Sequence, residues 1–223
     1  MGLNKSQGNM FDFISHTWNT VKGTCSHDCE YCYMKGIARR FNKQQCPAYF
    51  DEKELINLGK DRFIFVGSGN DLFAKDIPAE WIIRTLDHCL KYDNKYLFQT
   101  KNPARFHDFK HKILAQNIVA TTMETNRYYL KQMGKAPSPY FRHIGMQGLQ
   151  NTMITIEPIM DFDIEEFINM IYSIKPKQVN IGADSGNNHL PEPTAEKVIE
   201  LIAALETFTI VKQKSNLNRI FKV

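Results

Sequence analysis

Seven short apolar runs divide the chain, at residues 18–22, 62–66, 95–98, 118–121, 153–156, 179–181 and 208–211. Each is almost continuously apolar rather than alternating. That pattern predicts strands buried on both faces of a parallel sheet. Between the runs the period lengthens to that of helices. Pro78 opens one helical segment that reaches about Tyr92, since proline suits a first helical turn. Ile164, Phe167, Ile168 and Ile171 fall at the i, i+3, i+4, i+7 spacing, as do Val198, Leu201, Ile202 and Leu205. A less regular pattern predicts a helix over residues 105–116. Residues 134–150 carry Pro137, Pro139, Gly145 and Gly148, break the rhythm and read as an inserted loop or lid.

Strand and helix alternate about six times, which implies parallel strands with helices outside. A complete eight-fold barrel takes roughly 250 residues. The 223 residues here fit a partial (β/α)6 TIM-like barrel instead, as a single domain over 1–223 with residues 1–16 as an N-terminal extension. In such folds the site lies at the C-terminal ends of the strands. The polar residues just after each apolar run are therefore the candidates. They include Gly67-Ser68-Gly69-Asn70-Asp71, Gln99-Thr100-Lys101, Thr122 with Glu124, Glu157, Asp184-Ser185, and Lys212 with Lys214.

Composition narrows the class. Apolar residues make up 43% and charged residues 23%, ordinary for a soluble globular chain. The polar start is no signal peptide and no run is long enough to cross a membrane, so a cytoplasmic protein is expected. A net charge of +4 is too small to require a nucleic-acid partner. One local feature is sharper. Lys35, Arg39 and Lys43 recur every four residues with Arg40 beside them, a stripe that would serve phosphate contacts or simply face solvent.

Five cysteines are present, and three fall in Cys25-Ser-His-Asp-Cys29-Glu-Tyr-Cys32. This clustering does not suit a disulfide framework; it suits a reducing compartment with thiolates available for metal. Cys89 sits on an apolar helical face as a core thiol. Cys46, before Pro47, is a spare loop thiol or an extra ligand. Three thiolates on one short loop can hold three irons of a four-iron cluster and leave the fourth open, as a catalytic site requires. A closed zinc site, with His27, His16 or Cys46 as fourth ligand, is the other reading. Structural zinc usually takes a second ligand pair, and none is visible.

The C-x3-C-x2-C motif, with Tyr31 and Tyr33 around Cys32, resembles the signature of the radical S-adenosylmethionine (radical SAM) enzymes. The segments Gly67-Ser68-Gly69-Asn70-Asp71-Leu72-Phe73, Thr100-Lys101-Asn102-Pro103, Ile156-Glu157-Pro158 and Ile181-Gly182-Ala183-Asp184-Ser185-Gly186 narrow the likeness. Together they resemble a compact, bacteriophage-associated branch, distantly similar to spore photoproduct lyase, over residues 17–214. The resemblance implies a cluster loop after the first strand, with a [4Fe-4S] cluster on Cys25, Cys29 and Cys32. It also implies S-adenosylmethionine cleaved to a 5′-deoxyadenosyl radical that abstracts hydrogen. It places the cofactor's amino group at Gly67, Ser68, Gly69 and Asn70, where the family's usual Glu is missing. Tyr31 and Tyr33 fall near the adenine, Glu124 at the ribose or carboxylate, and Asp184 and Ser185 at adenine or ribose. Lys101, Glu157 and Lys212 are left for substrate and catalysis. An external one-electron donor of flavodoxin or ferredoxin type is implied, and host cytoplasm if the source is viral. The substrate is a nucleobase, nucleotide or hypermodified DNA base, or else a small metabolite or peptide. A non-catalytic zinc-binding module is the reading from another class.

Overall fold

The apolar runs become the strands of one sheet in a computed structural model, which describes residues 2–6, 11–42 and 44–222. In chain order the first elements are β1 (Asn4–Lys5), β2 (His16–Trp18), β3 (Val21–Lys22), α1 (Tyr33–Arg40), β4 (Tyr49–Phe50), β5 (Phe63–Val66) and α2 (Ala79–Cys89). Next come β6 (Lys95–Thr100), α3 (Phe106–Phe109), β7 (Ile118–Thr122), α4 (Leu130–Met133) and α5 (Pro139–Met146). The chain finishes with β8 (Thr152–Ile156), α6 (Ile164–Ile174), β9 (Gln178–Ile181), α7 (Ala195–Glu206), β10 (Ile210–Gln213) and α8 (Asn218–Phe221).

The sheet runs β1-β2-β5-β6-β7-β8-β9-β10. Every neighbouring pair from β2 to β10 is parallel, and β1 alone is antiparallel. Among the described residues the two edge strands are not paired with each other, so the mostly parallel sheet is an unclosed, partial barrel. Its outer face is sealed by the helices the apolar spacing predicts. Ile82 and Leu86 of α2, Phe167 and Ile171 of α6, and Val198 and Leu201 of α7 bury against Ile64, Val66, Phe98, Ile154, Val179 and Ile181. This is the face that continuous apolar strands require.

Several expectations change. The run at 18–22 is not one strand. Trp18 ends β2, Asn19 turns aside to accept a hydrogen bond from the Gly69 amide at 2.6 Å, and Val21 and Lys22 pair instead with Phe50 and Tyr49. The last strand starts two residues later than 208, because Phe208 closes the helix end by donating its amide to Leu205 O and packs edge-on against Tyr172. The segment 105–116 is a series of short turns around buried Phe106 and Phe109, not one helix. Residues 134–150 are not a lid: they include α5, the crossover helix between β7 and β8, with Arg142 and Met146 fully buried. Residues 11–16 are likewise more than an extension. His16 belongs to β2, and Phe11, Phe13 and Ile14 pack beneath Leu97, Ala120 and Met153 on the inner face.

Candidate active site

A strand's period of two decides what enters the mouth of the barrel. Leu97, Ala120 and Met153 point inward at the base. Two residues further along β6, Gln99 donates from Nε2 to the hydroxyls of Thr122 on β7 and Thr155 on β8, each at 3.1 Å. Asn180 on β9 lies in register with Thr155, and Lys212 on β10 with Asn180. One further step along each chain brings Lys101, Glu124, Glu157 and Lys214 onto the same inward side. Lys101 Nζ meets Glu124 Oε1 at 2.7 Å, and Lys214 Nζ meets Glu157 Oε2 at 2.6 Å.

The cysteine loop is fastened to this mouth. Buried His27 shares a hydrogen bond between Nε2 and Asp71 Oδ2 at 2.8 Å. The same oxygen accepts from Thr100 Oγ1 at 2.9 Å and the Lys101 amide at 2.8 Å. Burial by itself would push the Asp71 carboxyl up, but His27 and these donors hold it below the usual range. Through Nε2, His27 thus fastens the cysteine loop to Asp71. On the other side the Lys135 amide donates to His27 O and the Glu30 amide to Gln132 O. Gly134 between them has φ +60, and a Cβ there would collide with the carbonyls of His27 and Asp28. A glycine is required at that approach.

Glu124 is fully enclosed at the mouth. Its side chain is wholly buried; Oε1 accepts from Lys101 and from the Tyr31 hydroxyl, and Oε2 from Arg142 Nη1 at 2.6 Å. Burial opposes ionisation, yet Arg142 and Lys101 outweigh it and hold the carboxyl far below its ordinary value. Arg142 is equally buried and also binds Thr122 O at 2.9 Å and Pro137 O at 2.6 Å. Sequence reasoning misses Arg142 and the role of Gly134. A lone Arg inside a helix of mixed character gives no sign that it points inward. Asp71 stands among the strand-end residues, but nothing local tells that it would bind the loop.

Among the described residues, no three His, Cys, Asp or Glu side chains converge to hold a metal ion. The donor chemistry of the loop nevertheless fits a cluster with one open iron. Cys25, Cys29 and Cys32 are free thiols, and Cys29 Sγ lies 3.4 Å from Met133 O. Burial first, then Asp71, pushes the Cys25 thiol up to about 12, and burial raises Cys29 as well. Coordinated metal charge reverses that preference, since a ligating thiol gives up its proton.

Other predicted residues divide. Gly67 has φ +82 and donates its amide to Trp18 O at 2.9 Å, while Asn70 donates from Nδ2 to Gly23 O at 3.2 Å, leaving Oδ1 buried and without a partner. The Tyr33 hydroxyl donates to Ser68 O. These contacts place the 67–70 turn directly beside the cysteine loop. Lys212 is exposed and has no polar partner among the described residues. Asp184 is turned inward on its own loop, where it accepts from the Gly186 amide at 2.9 Å and from Asn188 Nδ2 at 2.7 Å. Its neighbour Ser185 is exposed. In the basic stripe Lys35 pairs with Asp28 at 2.6 Å, Arg39 and Arg40 are exposed, and Lys43 lies outside the described residues. Cys46 accepts through its carbonyl from the Thr24 amide, with its thiol exposed, and Cys89 is a core residue as expected. A separate cleft of about 820 Å³ lies on the helix side, lined by His143, Phe162, Asp163 and Met170, and includes none of the cysteines.

Three solved structures of spore photoproduct lyase share this fold. A cysteine-to-serine mutant matches with TM-score 0.59 and 11% identity over 92% of this chain and 78% of that one. A cysteine-to-alanine mutant with dinucleoside spore photoproduct gives 0.62 and 10% over 94% and 80%. A double mutant with bound AdoMet and dinucleoside spore photoproduct gives 0.54 and 10% over 93% and 66%. No curated protein matches the sequence. Residues 9–209 match the model of the family described as "Protein of unknown function (DUF5131)", and the chain belongs to that family.

Proposed function

We propose, taking that family and that fold as the premise, that the protein is a radical SAM enzyme. The observation that carries the reading is one loop of three free thiols, pinned by His27–Asp71 to the C-terminal ends of a parallel partial barrel. Cys25, Cys29 and Cys32 would hold a [4Fe-4S] cluster. When reduced by an external one-electron donor, it supplies the electron that splits S-adenosylmethionine into methionine and a 5′-deoxyadenosyl radical.

This chain's residues divide the remaining work. Gly67, Ser68, Gly69 and Asn70 border the loop and offer backbone carbonyls and the unpartnered Asn70 Oδ1 as acceptors for an amino group. Tyr31 and Tyr33 wall the same side. Lys101 is a cation at the mouth that an anionic group of a ligand can engage. Glu157, joined to Lys214, and Lys212 face the far side of the bore, away from the loop, where a substrate would sit. The Phe11–Ile14 segment packs against the inner base. A nucleobase-bearing substrate is proposed, supported by the neighbour solved with a dinucleoside spore photoproduct. On the surface, Arg39 and Arg40 are exposed cations on α1, while Lys35 beside them pairs with Asp28.

Anaerobically prepared protein tests the reading. It should carry about four irons and four sulfides per chain. After reduction it should convert S-adenosylmethionine to 5′-deoxyadenosine and methionine. Stoichiometric zinc with no iron, or S-adenosylhomocysteine as the product, would sink it.

A further inference from the structure

We propose that Arg142 is a positioning residue that sets the reduction potential of the cluster assigned to Cys25, Cys29 and Cys32, an inference that rests on the radical SAM reading above. Arg142 reaches the mouth from α5 and is completely buried. Its Nη1 and Nε are fixed by Glu124, Thr122 O and Pro137 O at 2.6–2.9 Å, while Nη2 is buried without a partner. Glu124 carries the connection onward to the Tyr31 hydroxyl, and Tyr31 lies in the chain between Cys29 and Cys32.

The charges at this hub do not cancel. One carboxylate, Glu124, faces two cations, Arg142 and Lys101, and among the described residues no second acid forms an ion pair with either. A buried carboxylate needs only one partner, and a surplus buried cation is costly unless something anionic offsets it. A cluster on three thiolates is such an anion. On reduction it takes one electron from the external donor, which is oxidised by one electron; no bond breaks and no proton moves. A fixed positive charge in a low-dielectric surround favours the more negative, reduced form, and net charge near a cluster is one of the levers on its potential. Arg142 should dominate over Lys101, whose side chain is 17% exposed and so partly screened.

The test is an EPR-monitored redox titration of the reconstituted full chain with dithionite and mediators, without S-adenosylmethionine. R142M should lower the midpoint by at least a tenfold change in the reduced-to-oxidised ratio at fixed potential, which is about 59 mV for a one-electron couple. E124Q should raise it, and R142K should stay near wild type. Midpoints that do not move in R142M and E124Q, or that move in the same direction, would overturn the proposal. If R142M fails to fold or to hold iron, R142Q, which keeps donors for Glu124 and the carbonyls but not the charge, carries the test: a lowered midpoint supports the proposal and an unchanged one overturns it. Wild-type protein with no [4Fe-4S] spectrum at all would instead remove the radical reading, and this inference with it.

Discussion

Glu124 and Glu157 stand two residues beyond the inward threonines of neighbouring strands, and the protein treats them oppositely. Glu124 is fully enclosed and receives Tyr31, Lys101 and Arg142. Glu157 is 21% exposed and pairs with Lys214, itself 15% exposed. The difference comes from what covers each strand end. α5 brings a buried guanidinium to the first, beside the cysteine loop. A short tail after β10 brings only a lysine to the second. A carboxylate with both oxygens engaged shapes the field around it, whereas one with a solvent-facing oxygen remains open to a ligand. The mouth therefore has a fixed, electrostatic half and an adaptable half.

The sharpest break between the halves should come from the cysteines. Replacing Cys25, Cys29 or Cys32 by Ala should abolish bound iron and the brown colour, while E157Q should leave iron content unchanged; equal iron in all four variants would erase the distinction. Next in size is the buried ion pair. R142M should destabilise the apo protein by about 2–3 kcal/mol, since it leaves Glu124 Oε2 and the carbonyls of Thr122 and Pro137 without their donor, while Lys101 still pairs with Glu124. K214M should cost about 1 kcal/mol, because water still reaches and screens both groups of this partly buried pair. Urea unfolding of both measures this directly, and similar losses would mean the two carboxylates are equivalent after all.

Gly134→Ala sharpens the fixed half from its backbone. The φ of +60 and the carbonyls of His27 and Asp28 leave no room for a Cβ, so a loss of about 1–3 kcal/mol is expected, together with weaker iron retention. Wild-type stability and iron content in that variant would show that the loop does not depend on the α4–α5 connection. Acid should separate the halves as well. Glu124 and Asp71 have folded pKa values below their unfolded ones, so their stabilisation is present above the unfolded values and lost as pH falls through the folded ones. For Glu124 the window runs from 4.5 down to about 2. Stability of the apo protein should decline across it, and E124Q should flatten the slope; an unaltered slope would count against the charged state of Glu124. The smallest effect belongs to the surface stripe. R39Q with R40Q should change stability by no more than about 0.5 kcal/mol and leave iron content alone.

Much of this is legible in residue order, for definite reasons. Near-continuous apolar runs separated by helical spacing are a local signal, and they specify six of the strands and the helices α2, α6 and α7 to within a few residues. The cysteine motif is local too, because three ligands in one loop need no distant partner. The rule that sites form at the C-terminal ends of parallel strands brings Lys101, Glu124 and Glu157 to the mouth. Local signals mislead where they are ambiguous. Prolines and glycines in 134–150 look like loop markers, yet Pro139 begins α5 and Gly145 lets that helix approach Ala104 closely. Asp184 accepts from the amides of Gly186 and Asn188 in its own loop, a partnership the spacing does not announce.

Residue order alone suffices for the parallel α/β class, the thiol loop and the candidates at the strand ends, since each depends on residues close together in the chain. Which of those candidates share a charge is settled by the folded arrangement. His27 meets Asp71 across 44 positions, Tyr31 meets Glu124 across 93, and Arg142 arrives from a helix whose sequence does not announce it. Coulomb energy depends on distance and burial in space, and neither is written in the spacing along the chain.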